Sequence, residues 1–277
     1  MYRLWLHKQI IRRIKLLIMD IYFTIVAFIM GTLFGSFYNV CIYRIPEKLS
    51  VANPPSHCYN CQTRLKPLDL IPILSWLSLK GKCRYCGIKV SSRYAKVELL
   101  TGILFALTYI AFGYNFKTIY YMLLVSLLII ITFIDIDHFI IPDELVIAGS
   151  IIAIAVNLLG YGTGFMDGLK GALFAGGGVL LVTLAIEFIV KKEVMGGGDI
   201  KLYAMLGLFL GTKIALLTIL LSIYVGGIYG VIFIVYNRVK QKEFSSMIPF
   251  GPFISIAAII AMLYGNQIID LYISYIL

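Results

Sequence analysis

Charge is scarce in this sequence: only 14% of its 277 residues are Asp, Glu, Lys or Arg, and just 14 of those are acidic. With 60% hydrophobic residues, the chain has too little polar surface to be an ordinary soluble protein. No long low-complexity tract and no repeat with a period of about twenty to fifty residues is visible, which excludes solenoids and propellers. A cleavable signal peptide is disfavoured as well, because the first apolar run is long and ends in YNVCIYRIP rather than at a small-residue cleavage site. What remains is a multispanning membrane protein.

Apolar runs of the length needed to cross a hydrocarbon core of about 30 Å predict an all-α polytopic fold with about eight transmembrane helices. They fall near 20–43, 97–114, 118–134, 145–160, 168–190, 202–212, 214–236 and 249–276. The sixth is too short to span alone. The net charge of +10 points to topology rather than to nucleic acid, because the basic residues are distributed unevenly. If the first span runs out-to-in, segments 44–96, 190–201 and 237–248 carry sixteen Lys/Arg on the inside, against Lys117, Lys170 and Lys213 outside. That places the 44–96 loop in the cytoplasm. The N-terminal segment 1–18, with Arg3, Lys8, Arg12, Arg13 and Lys15, disagrees and reads as a basic surface helix or a retained segment. The expected division is therefore 1–18, a first span 19–43, a cytoplasmic domain 44–96 and a multispanning domain 97–277.

Four of the five cysteines lie in that loop, as CYNC at 58–61 and CRYC at 83–86. Two C-x-x-C pairs at this spacing suit a closed, structural four-thiolate zinc site with ligands Cys58, Cys61, Cys83 and Cys86. Two disulfides or redox pairs are the alternative, and the expected cytoplasmic side argues against stable disulfides. A loop of about fifty residues with few core hydrophobes needs such a staple. Cys41, inside the first span, reads as a small apolar residue.

Acidic residues at the ends of spans are costly and are functional candidates by default. One group is FIDIDHFIIPDEL, with Asp135, Asp137 and Asp143; the other is MGGGDIKL, with Asp199. Both lie on the cytoplasmic side. Two carboxylates brought together there would share a proton and suit aspartyl hydrolysis, one activating water while the other polarises a carbonyl. Gly196, Gly197 and Gly198 would let an extended peptide approach Asp199. The plainer readings stay open: Asp199 as an N-cap of 200–212, Asp143 as a first-turn acid after Pro142, or acids on an ion pathway. Asp137 lies two residues from Asp135, and spacing does not choose between them. His138 reads as an interfacial histidine, Glu187 as paired with nearby lysines or snorkelling, and Asn39 as a hydrogen-bonding group between helices. Gly31-x-x-x-Gly35, Gly171-x-x-x-Ala175 and Gly226-x-x-x-Gly230 suit close helix packing. Gly176 to Gly178 would pack likewise or make room for a substrate helix.

GTLFGSFYNVCIYRIP, the two cysteine knuckles, GKCRYCGIKVSSRYAKVELLTG, IDIDHFIIPDELV, GGGDIKLYAMLG and IPFGPFISIA occur in the order seen in prepilin peptidases, GxGD-type intramembrane aspartyl proteases. The chain resembles that family over about residues 31–265. The resemblance implies that Asp135 and Asp199 are the catalytic pair, with Asp137, Asp143, the three glycines and Lys201 in support. It implies cleavage of the basic leader from type IV prepilins or pseudopilins at the cytoplasmic face of a prokaryotic inner membrane. It also implies N-methylation of the new terminus with S-adenosylmethionine, to which Gly81 is linked. The sequence has no Rossmann-like glycine fingerprint, so methylation rests on the likeness alone. From other classes, an ion-coupled transporter with a regulatory zinc loop, or a scaffold that binds pilin helices without cutting them, would carry the same acids.

Overall fold

The computed structural model describes residues 2–239 and 248–276, with side chains described for 17–238 and 248–275. Nine α-helices are present among them: α1 (Tyr2–Arg44), α2 (Leu74–Ser78), α3 (Arg93–Phe112), α4 (Phe116–His138), α5 (Asp143–Leu158), α6 (Phe165–Ala172), α7 (Gly178–Val190), α8 (Gly197–Val239) and α9 (Gly251–Ile276). The described residues form no strand beyond isolated bridges at His57–Arg64 and Lys82–Lys89. The all-α membrane reading therefore holds. The basic side chains of the N-terminal segment up to Lys15, and Lys240 and Lys242, lie outside the described residues.

Among the described residues six helices are long and apolar enough to cross a membrane, against the eight expected. Two local causes account for the difference. Helix α5 has 16 residues and so rises about 24 Å, short of the hydrocarbon thickness. The expected runs 202–212 and 214–236 both fall inside α8, which is interrupted at Gly211 by a non-helical backbone with φ 74° and ψ 173°. Tyr203 and Ser222 would stand about 28 Å apart on a straight helix, yet their hydroxyls lie 2.5 Å apart. The chain therefore folds back at Gly211, and α8 is a hairpin of two antiparallel legs.

The hairpin turn is held by polar groups that replace the missing helical bonds. Thr212 N, no longer bonded one turn back, donates to Asp167 Oδ1 at 3.3 Å, and the Thr212 hydroxyl reaches the same oxygen at 2.8 Å. The Leu208 carbonyl accepts instead from buried Asn157 Nδ2 at 2.8 Å. Gly211 is required here on two counts. Its φ is positive, and a Cβ would meet the Asp167 carboxylate.

Residues 1–126 form one compact unit and 127–277 another, the division falling inside α4. In the first unit α1 packs on α3 through small residues: a Cβ on Gly31 would lie 2.7 Å from Thr101 O, and one on Gly102 2.7 Å from Thr32 Cγ2. Asn39 Nδ2 donates to Tyr94 O at 3.2 Å, the interhelical bond expected of it. In the second unit α6 and its continuation meet the first leg of α8 at backbone contact, Gly171 against Gly207 and Gly176 against Ala204. Gly176 is thus a packing position. A π-helical turn, Leu173–Gly177, joins α6 to α7, so that Phe165–Val190 counts as one span. The Glu187 carboxylate accepts from Val194 N at 3.0 Å and ties down the turn after α7, while Lys191 reaches Glu187 through the main chain, its amide donating to Glu187 O at 2.7 Å.

Candidate active site and metal centre

Three helix ends of the second unit, the last turn of α4 and the first turns of α5 and α8, line one cavity of about 500 Å³. Asp135 comes from the last turn of α4 and is only 5% exposed. Asp199 lies in the first turn of α8, inside the helix rather than at its cap. Both line the cavity, together with Asp143, Glu144, Lys201 and the three glycines 196 to 198. Asp137, two residues on, is exposed and is not among the lining residues. His138 is likewise exposed and closes α4. Burial therefore separates the two aspartates of the D-x-D where spacing could not.

Asp135 is held by main chain. Gly251 N, the first amide of α9, donates to Asp135 Oδ2 at 2.8 Å. A side chain at 251 would crowd that carboxylate, since an ideal Cβ lies 2.7 Å from Oδ2. The amino ends of α5, α8 and α9 all face this region, and their partial positive charge favours carboxylates there. Lys201 supplies a full charge: its Nζ bonds both Asp143 oxygens, at 2.8 and 2.9 Å, and so fastens the start of α5 to the start of α8.

The glycine run before Asp199 leaves the approach open. A Cβ on Gly197 would touch nothing within 4 Å, whereas one on Gly198 would press on Ile141 at 3.0 Å. Phe139, which also lines the cavity, takes a left-handed backbone, φ 56°, with its amide bonded to Asp135 O at 2.9 Å. Such a conformation is rare for a bulky residue. It ends α4 one turn after Asp135 and turns the chain into the cavity wall. Phe139, Glu144 and Gly251 went unnoticed as site residues in the sequence; the FGP of IPFGPF was the one visible sign of the last.

In the first unit the four cysteine sulfurs lie within 4.8 Å of one another. Cys58 Sγ and Cys86 Sγ are 3.8 Å apart, the edge expected of a tetrahedron with metal–sulfur distances of about 2.3 Å. The cluster can hold a metal ion. Its halves repeat one knuckle: Cys58 N bonds Thr63 O and Gln62 N returns to Cys58 O, while Cys83 N bonds Ile88 O and Gly87 N returns to Cys83 O. Gln62 and Gly87, each following the second cysteine of its pair, both have positive φ. The Thr63 hydroxyl and amide hold the Cys61 thiol down to about 6, and the amides of Tyr85 and Cys86 lower Cys83, so both favour the thiolate that a metal needs. Gly81 is buried with φ 67°, and a Cβ there would strike the Trp76 ring at 2.9 Å.

Two family models match the chain: the bacterial peptidase A24 N-terminal domain over residues 29–112 and the type IV leader peptidase family over residues 122–231. The chain belongs to the type IV leader peptidase family. Among its relatives, a protein of Bacillus subtilis (strain 168) named prepilin leader peptidase/N-methyltransferase is 37% identical, covering 90% of this chain and 97% of the relative. Proteins of the same name from Stutzerimonas stutzeri and Pseudomonas aeruginosa are 33% and 34% identical, each covering 91% of this chain and 94% of the relative. No solved structure matches the chain. Both sets of motif, the cysteine knuckles and the aspartate-bearing helix ends, fall within the matched segments.

Proposed function

We propose that this chain removes the leader from type IV prepilins or pseudopilins by a two-aspartate mechanism and then methylates the new N-terminus. The observation that carries the reading is the convergence of Asp135 and Asp199, from separate helices, on one cavity beside an open glycine run. One carboxylate takes a proton from water while the other gives a proton to the scissile carbonyl oxygen, and no covalent intermediate is needed. Gly251 N–H positions Asp135 for this, and the Asp143–Lys201 pair keeps the two aspartate-bearing segments together. Asp137 serves in support from the exposed side.

The division of labour follows the chain: residues 44–96 as a cytoplasmic zinc-binding domain and 97–277 as the peptidase domain, with 1–18 and 19–43 as basic segment and first span. Zinc on Cys58, Cys61, Cys83 and Cys86 closes the loop and takes no part in cleavage. S-adenosylmethionine is the methyl donor. Gly81, being buried under Trp76, acts by shaping its turn. The enzyme works in the inner membrane of a prokaryote, with the substrate helix in the bilayer and its leader in the cytoplasm. Neither ion-coupled transport nor a silent scaffold draws support from the family match.

Mass spectrometry of a co-expressed prepilin tests this directly. The unmodified chain should shorten the substrate and add one methyl group, and Asp135→Asn or Asp199→Asn should leave it full length. Several prepilins all remaining uncut by the unmodified chain would overturn the peptidase reading.

A further inference from the structure

Outside the spans, one stretch of the first unit exposes aliphatic side chains that the metal module leaves uncovered. In the segment Lys66 to Lys80, Leu68, Leu74 and Leu77 are 67%, 65% and 57% exposed, and Leu70 and Ile71 are exposed beside them. A module of this size rarely leaves so many together in water.

The position of this segment is fixed by one buried bond. Ile73 N donates to Glu98 Oε2 at 2.7 Å, and Glu98 is 8% exposed in the second turn of α3. With 20 residues, α3 is about 30 Å long, the thickness of the hydrocarbon core, so Glu98, about 8 Å along it, lies within two turns of the bilayer boundary. The start of α2 is therefore pinned near that boundary. Trp76 on the other side of the turn faces inward, its indole N–H donating to Val90 O at 3.1 Å, which leaves Leu74 and Leu77 on the open side.

Charge identifies the occupant. Residues 44–96 hold ten Lys/Arg against Glu47 and Asp69, and Asp69 is already paired with Arg84 at 2.6 Å. Lys66 and Lys80, both exposed, flank the apolar stretch. An apolar turn between lysines at the edge of a bilayer fits anionic lipid headgroups, the side chains entering the acyl boundary and the lysines meeting phosphate. We infer that the Leu68–Leu77 segment is an interfacial anchor that docks the cysteine module onto an anionic lipid surface.

Hydrogen exchange of the full chain tests this, in nanodiscs of phosphatidylcholine alone and of phosphatidylcholine mixed with phosphatidylglycerol. Amides of residues 70–79 should exchange at least about tenfold more slowly in the anionic discs. Leu74→Gln with Leu77→Gln should abolish that protection, and Lys66→Gln with Lys80→Gln should remove its dependence on phosphatidylglycerol. Bound zinc and slow exchange at the cysteine knuckles in these variants would show that the module remains folded. Equal exchange in the two discs, or protection that survives the leucine substitutions in a folded module, would overturn the anchor. Protection that rises with the number of protein copies per disc would overturn it too, in favour of contact between copies.

Discussion

Gly251 N lies 2.8 Å from Asp135 Oδ2, so a buried carboxylate at the end of α4 is oriented by the first amide of α9. The contact tolerates no side chain, because a Cβ at 251 would sit 2.7 Å from the same oxygen and 3.2 Å from Cγ. Gly251→Ala should therefore displace the Asp135 carboxylate. The expected outcome is a fall of about tenfold to a hundredfold in the cleavage rate at saturating prepilin, since small misplacement of a reacting group is costly. Membrane expression and metal content should stay unchanged, which steady-state cleavage alongside metal analysis will check.

Lys201 and Asp143 are each about half exposed, at 55% and 56%. A pair in that setting contributes about 0–1 kcal/mol to stability. Lys201→Met should accordingly shift thermal unfolding little while loosening the start of α8 against α5. Cleavage should fall by more than stability does, and the unmodified enzyme should lose part of this advantage in high salt. Lys201→Arg should restore most of the activity, because it can still grip both oxygens of Asp143.

The sequence shows the spans, the cysteine knuckles and both aspartate motifs because each leaves a local pattern: a long apolar run, a paired spacing, or an acid beside glycines. It does not show the hairpin in α8. Gly211 sits within an apolar stretch much like Gly207, and only the tertiary partners Asp167 and Asn157 make one a break and the other a packing contact. Choosing Asp135 over Asp137 required family resemblance for the same reason, since burial depends on α9, which lies 116 residues away in the chain. Phe139 left no signal at all, its positive φ being contrary to its residue type.

Glycines in the second unit should divide sharply by what surrounds them. A Cβ on Gly207 would lie 2.3 Å from the Gly171 carbonyl carbon, a backbone atom that cannot swing aside. Gly207→Ala should destabilise the unit by about 1–3 kcal/mol through overpacking. Gly178 is helical and meets nothing within 4 Å, so Gly178→Ala should be neutral or stabilising by up to about 1 kcal/mol. Thermal unfolding in one detergent, compared across the two variants, gives the answer. Equal losses would mean that the α6–α8 contact is looser than its geometry.

Acid should dismantle the cysteine module through its thiolates before it touches Asp69. The Asp69 side chain is 4% exposed; its burial works to raise the carboxyl, but bonds from Arg84, Tyr85 and Lys66 N outweigh this and hold it below the usual carboxylate range. A group depressed in this way stabilises the fold fully above its unfolded value of about 3.9, and that contribution is lost only as pH falls through the still lower folded value. Metal ligands compete with protons at higher pH, so a metal held by the four cysteines would leave first. Asp69→Asn should thus weaken the module by about 1–2 kcal/mol, and by the same amount from about pH 6 to pH 8. The check is a zinc-release assay with a chelator at several pH values. A variant-to-native difference that shrank steadily between pH 8 and about pH 6 would mean that Asp69 titrates in that range and is not held low by Arg84 and Tyr85.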